Sequence, residues 1–171
     1  PDLTTNDKKK QEQENNGGLS ADNTSAENHT TIFTIAESPL DENTIWVGTD
    51  DGNLQLTRDG GKSWTNTSLN INGTGIPAQT WVSSIEPSHV NKEIVYATFD
   101  NHMYGDHNTY AAKSTDGGKT WKPSKKGPNG YRSCVIVHKG VYYACGTSGI
   151  DYSLDQGMNW SALTTGKFYS L

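Results

Sequence analysis

Several ingredients of common protein classes are scarce in this 171-residue chain. Two cysteines are too few to define a disulfide framework. Only two arginines occur, Arg58 and Arg132. The net charge is -5 and no basic stripe is present, so nucleic acid is not an expected partner. No apolar run approaches the roughly 18 residues of a membrane-spanning helix, and no signal-peptide pattern is legible. Apolar residues make up only 32% of the chain.

That apolar shortage is uneven. Residues 1–29 hold almost no large apolar side chain, and stretches such as KKKQEQENNGG read as a polar flexible tail or linker. All five tryptophans, eight tyrosines and three phenylalanines lie beyond residue 30. An aromatic-rich, glycine-rich remainder with little helical patterning predicts an all-β domain.

Within that remainder the chain repeats itself. TRDGGKSW (57–64), STDGGKTW (114–121) and SLDQGMNW (153–160) all fit S/T-x-D-x-G-x-x-W. Around each, alternating apolar and polar residues separated by Asp/Gly turns predict a four-stranded antiparallel unit, with the motif on the third hairpin turn. The expected units are approximately 30–72, 80–125 and 130–165, with GKFYSL at 166–171 opening a further strand. The expected architecture is therefore about three four-stranded blades of a partial propeller, or of a ring closed by other blades.

The motif resembles the Asp-box (BNR) repeat of sialidases, sortilin-type receptors, xyloglucanases and photosystem II assembly factors. Residues 30–122 resemble bacterial sortilin-type or glycosyl-hydrolase-like Asp-box proteins, and residues 130–171 resemble the photosystem assembly-factor type. In those families the box is structural and lies away from the ligand face. The resemblance thus implies fold roles for Asp59, Gly61, Trp64, Asp116, Gly118, Trp121, Asp155, Gly157 and Trp160. Each Asp can accept backbone N–H bonds across its turn, and each Trp can pack between blades. Gln156 and Asn159 depart from the pattern, which predicts a slightly weaker clasp in the third box.

With the four strands of each unit called A to D in chain order, the A–B and C–D turns fall on one face, and the B–C loops and interblade crossovers on the other. The long segments 69–79 and 100–108 are expected together on that second face, where loops usually carry binding. Candidate ligand contacts are Trp81, Asp100, His102, Tyr104, Asp106 and His107, with Arg132 in the third unit. The Asp and His residues could ligate a metal, but their spacing matches no metal motif, so no metal and no cofactor is expected. Each aromatic also has a plain core-packing reading.

A sialidase site uses three arginines, which this chain lacks. Xyloglucanase-like hydrolysis needs two carboxylates flanking the scissile bond. Asp50, Asp51, Asp100 and Asp106 qualify by position only. The expectation is a non-catalytic extracytoplasmic module, secreted or periplasmic, that binds protein or carbohydrate. The alternative is a glycoside hydrolase fragment. Rings close with about four to eight blades, so a homo-oligomer or a longer propeller chain is expected. Cys134 and Cys145 should face each other across a hairpin centred on Lys139 and Gly140, as adjacent free thiols in preference to a disulfide. Five N-x-S/T sequons, at Asn23, Asn28, Asn66, Asn72 and Asn159, fit either chance abundance or glycosylation.

Overall fold

The structure is a computed structural model that describes residues 1–8, 29–106, 108, 110–130, 132 and 134–168. Most of the amino-terminal tail, His107 and the end of the KFYSL segment lie outside the described residues. The chain divides into two compact units, Pro1–Lys122 and Pro123–Leu171.

Unit 1 holds two four-stranded sheets. β1 (Ile32–Ser38), β2 (Asp41–Thr49), β3 (Leu54–Thr57) and β4 (Thr65–Asn66) form the first. β5 (Trp81–Pro87), β6 (Val95–Asp100), β7 (Tyr110–Ser114) and β8 (Lys122–Pro123), whose last residue crosses into unit 2, form the second. Unit 2 holds a third sheet, β9 (Cys134–His138), β10 (Val141–Gly146), β11 (Gly149–Ser153) and β12 (Ser161–Thr164). Each sheet runs in strand order with antiparallel neighbours, the meander of a propeller blade. The segment 166–168 is not in a strand.

Alternation decides which side of blade 1 is buried. Ala36, Trp46 and Leu56 stand opposite one another across β1, β2 and β3 and share one face. That face joins Val82, Ile85, Val95, Ala97, Phe99 and Trp121 of blade 2 in one apolar core. Gly48 lets the sheets approach closely, since any Cβ there would strike Val82. The other face of blade 1 carries Ile35, Val47 and Gln55. It lacks a packed sheet within unit 1, and Ile35 is 64% exposed.

The crossover 69–79 corrects one expectation. It is not simply a loop on the second face. Ile71 and Ile76 are buried in the interblade core, and the Asn70 amide donates to the Gly118 carbonyl at 2.8 Å. The physical reason is β4, which is only two residues long. The chain leaves the sheet early and fills the seam, and only its end reaches the second face. There Gln79 backbone lies against Gly52, which has φ +89° and no room for a Cβ.

The three Asp boxes share one hydrogen-bond scheme. Ser63 Oγ donates to Asp59 at 2.6 Å, Thr120 Oγ1 to Asp116 at 2.5 Å, and Asn159 Nδ2 to Asp155 at 2.6 Å. Thr57, Ser114 and Ser153 each donate to the same Asp at 2.8 Å and accept the N–H of Gly61, Gly118 or Gly157. The third box is therefore clasped as fully as the others, because the Asn159 amide supplies the donor that a hydroxyl supplies elsewhere. Its cost lies in the backbone. Gln156 takes φ +59° where the other boxes have Gly60 and Gly117, a left-handed conformation costing about 1–2 kcal/mol for a residue with a Cβ.

These donors hold all three carboxyls at about 2, below the free value of 3.8. The leading cause is the side-chain donor four residues on: Ser63, Thr120 or Asn159. Since the folded values lie below the unfolded one, this stabilisation is complete above about pH 4 and disappears as pH falls toward 2. Carboxyl-carbon NMR titration of the folded chain should give three aspartates with midpoints near 2. Midpoints near 3.8 at these positions would contradict the clasp.

Cys134 and Cys145 stand directly opposite, and both are free. Lys139 and Gly140, at φ 49° and 80°, form a two-residue turn flanked by the pair His138 and Val141. Counting from that turn makes 134/145 a hydrogen-bonded pair, the wider of the two cross-strand types.

Candidate ligand face

The second face of unit 1 is built from strand ends. The A–B and C–D turns meet at the opposite end, where Gly60 N donates to Asn43 O and Gly117 N to Glu93 O, both beside an Asp box. That leaves the B–C segments and the start of β5 at the other end. Trp81 opens β5 and pairs with Asp100 at the end of β6. Its ring meets Phe33 of β1 edge to face, with centroids 4.6 Å apart, and stacks with His102 at 6.3 Å. The two blades thus contribute to one aromatic cluster. Phe33 is 49% exposed and Tyr104, close by in sequence, 59%.

Polar groups surround the cluster. The Asp100 carboxylate accepts from His102 Nδ1 at 2.7 Å and from its backbone N–H at 2.9 Å. A neutral His102 held this way keeps Nε2 as an acceptor. Asp106 accepts from Asn101 Nδ2, Tyr110 Oη and the Asn108 backbone and side chain. The Asn101 and Tyr110 donors bring its carboxyl to about 2. Asp106 therefore braces the loop. Asp50 accepts from the backbone and hydroxyl of Thr31, and His29 Nδ1 lies 3.7 Å from it.

Among the described residues, Trp81 Nε1 at the start of β5 and His29 Nε2 ahead of β1 are buried ring atoms without a hydrogen-bond partner. Burying an unsatisfied donor costs about 1–3 kcal/mol; because Nε1 is shielded from solvent, what Trp81 offers a ligand is its ring and not this donor.

Of the sequence candidates, Trp81, Asp100 and His102 come together here. Tyr104 is an exposed part of the same loop. Asp106 is used internally, and His107 lies outside the described residues. Arg132 belongs to unit 2, where the structure places it differently from the expectation of an open ligand contact. Its Nε donates to Asp151 at 2.6 Å, its Nη2 also pairs with Asp151, and its side chain is 5% exposed. Burial required a counter-charge, and Asp151 supplies it. Phe33 was not singled out, since an apolar residue in a predicted strand reads as core; its pairing with Trp81 depends on blade packing. Among the described residues no group of three or more His, Cys, Asp or Glu could hold a metal ion, and no helix is long and apolar enough to cross a membrane.

Fold and turns together define an all-β protein of propeller-type blades carrying Asp boxes. The family model of the BNR/Asp-box repeat matches residues 112–123, the second box with its flanks. No curated protein matches the sequence. Among solved structures the chain is similar to YCF48 from Cyanidioschyzon merolae, at 23% identity and TM-score 0.58, over 80% of this chain and 41% of that one. An ancestral GH74 enzyme aligns at 20% identity and TM-score 0.57, over 80% and 19%. YCF48 bound to D1 peptide aligns at 19% identity and TM-score 0.54, over 80% and 41%. The chain spans less than half of each, and at these identities the likeness is one of fold.

Proposed function

We propose that the chain is a non-catalytic binding module that takes a segment of a partner protein on the second face of unit 1. The observation that carries this reading is the cluster of Phe33, Trp81 and His102, half open to solvent. A peptide offers what the cluster needs: an apolar or aromatic side chain to stack on the rings, and backbone groups to bond the polar residues around them. A peptide complex among the structures of similar fold supports the choice of ligand class. The hydrolase alternative is disfavoured by the carboxylates, because Asp50, Asp100 and Asp106 all accept hydrogen bonds within the protein. The reading includes an extracytoplasmic location and completion of the ring by further blades, from a second copy or a longer chain.

Titration of the full chain with a peptide library and with xyloglucan oligosaccharides, followed by tryptophan fluorescence and by product analysis, tests the proposal. Saturable binding of peptides is expected, with no cleavage of glycan. Trp81→Ala should weaken it at least about tenfold, since one well-buried aromatic contact is commonly worth 2 kcal/mol or more. Glycan turnover by the wild-type chain, or peptide binding indifferent to Trp81→Ala, would sink this reading.

A further inference from the structure

The outer face of blade 1 already holds a short peptide, and it comes from the chain itself. Leu3 is 8% exposed although it sits in a stretch whose composition reads as a tail. Its carbonyl accepts from Asn53 Nδ2 and Gln55 Nε2, both at 3.0 Å. Two residues on, the Thr5 backbone N–H and hydroxyl both donate to Asp51 Oδ2, at 2.7 and 2.6 Å. Asp51 is 1% exposed, and its other oxygen accepts from the Thr49 hydroxyl. Gln55 is 8% exposed and stands opposite Val47, itself 3% exposed and outside the interblade core.

The features of a linear-peptide site therefore lie on β2, β3 and the turn between them. Val47 marks an apolar floor. Asn53 and Gln55 present paired donors to a main-chain carbonyl. Asp51 presents a buried carboxylate to a hydroxyl and N–H two residues further on. The described contacts are made by groove side chains to the Leu3 carbonyl and to the Thr5 N–H and hydroxyl, so side-chain chemistry sets the specificity: an apolar residue, any residue, then Thr or Ser.

Chain connectivity does not force this contact. In unit 2 the equivalent strand-C position is Asp151, four residues before the box Asp, as Gln55 is in blade 1. There the covering residues, Asn129 and Arg132, run almost directly into β9. In unit 1 residues 6–31 separate Thr5 from β1. A segment tied by so long a polar stretch docks because the site recognises it.

We infer that the Asp51–Asn53–Gln55 groove is a docking site for an extended apolar-x-Thr/Ser segment of a partner protein, and that Leu3–Thr5 is a tethered self-ligand competing for it. The inference does not depend on the function proposed above. A chain connection of this length gives an effective concentration on the order of 1 mM. With a Kd of about 0.1 mM for the Leu3–Thr5 segment itself in trans, a partner segment would bind roughly tenfold more weakly to the wild-type chain than to one whose own segment is released.

The test uses the full chain and a fluorescein-labelled peptide of sequence PDLTTNDK. Leu3→Asp combined with Thr5→Ala in the chain releases the self-ligand without altering the groove. The peptide should bind this variant saturably and the wild-type chain about tenfold more weakly. A peptide with Asp in place of Leu should not bind either. Adding Gln55→Ala and Asn53→Ala to the released chain should abolish binding while circular dichroism and the melting curve stay near those of the released parent. Absence of saturable binding to the released chain at millimolar peptide would overturn the inference. So would equal binding to released and wild-type chains. A concentration-dependent wild-type dimer that disappears in the released variant would also overturn it, replacing a tethered self-ligand by exchange between copies.

Discussion

Replacing Trp121 by alanine is expected to destabilise unit 1 by about 3–5 kcal/mol, the range for removing a buried aromatic from a core. Trp121 is 5% exposed and meets Trp46 of blade 1 edge to face at 6.1 Å. Trp46 in turn lies over Gly118, where a Cβ would collide with its ring and where φ is +86°. The box of blade 2 is thus keyed into blade 1 by two tryptophans and one glycine. Gly118→Ala should cost about 1–3 kcal/mol through overpacking alone, and because both changes act on one contact their effects should not add. Trp121→Phe gives the discriminating control. Trp121 Nε1 is buried without a partner, so phenylalanine removes an unsatisfied donor while keeping most of the ring. Urea unfolding, read by near-ultraviolet circular dichroism of the Trp pair, should rank wild type closest to Trp121→Phe and far from Trp121→Ala. Trp64, the counterpart in blade 1, is only half-buried because no sheet packs on its side within unit 1. Its alanine variant should therefore lose much less. Equal losses at Trp64 and Trp121 would contradict this account of the seam.

Much of this fold is legible in the sequence because it is local. Each box closes within seven residues on its own side chains, so S/T-x-D-x-G-x-x-W dictates the turn wherever it occurs. The Lys139-Gly140 turn likewise fixes the Cys134–Cys145 register by simple counting. What depends on partners distant in sequence is not legible. Leu3 sits in a run whose composition argues against burial, and only Gln55, Asn53 and Asp51 make it a docked residue. Phe33 reads as one more strand residue until β5 brings Trp81 beside it. Arg132 reads as an open ligand contact, since nothing near it in sequence announces that Asp151 is fully buried. The 69–79 crossover reads as a loop because its isoleucines are spaced among Asn, Gly and Thr; the shortness of β4 turns it into filling. Ligand-face residues were legible as types, by position after strand B, but not as a cluster.

Asp151→Ala should cost unit 2 about 3–5 kcal/mol, the loss expected when one partner of a buried ion pair is removed and the other stays. Asp151 is 0% exposed and accepts from Arg132 Nε and Nη2, Asn129 N and Asn129 Nδ2. Arg132 Nη1 donates to Ser148, whose hydroxyl donates to the Asn129 carbonyl. Removing the carboxylate strands a guanidinium and the donors of Asn129 at once. Arg132→Ala should be nearly as harmful, because the carboxylate then keeps only the two Asn129 donors. The double variant Asp151→Leu with Arg132→Met should recover most of the loss, since no uncompensated charge remains. Thermal and urea unfolding of the three variants measures the cycle. If the double variant is as unstable as the sum of the single ones, the pair acts independently and the buried-network account fails. The position explains why a charge is tolerated there. Four residues before the box Asp, the strands carry Gln55, Ala112 and Asp151. The boxes repeat because each turn is self-contained; this position varies because each blade meets a different covering segment. Specificity between blade and cover is therefore written on strand C, in Gln55 for Leu3 and in Asp151 for Arg132.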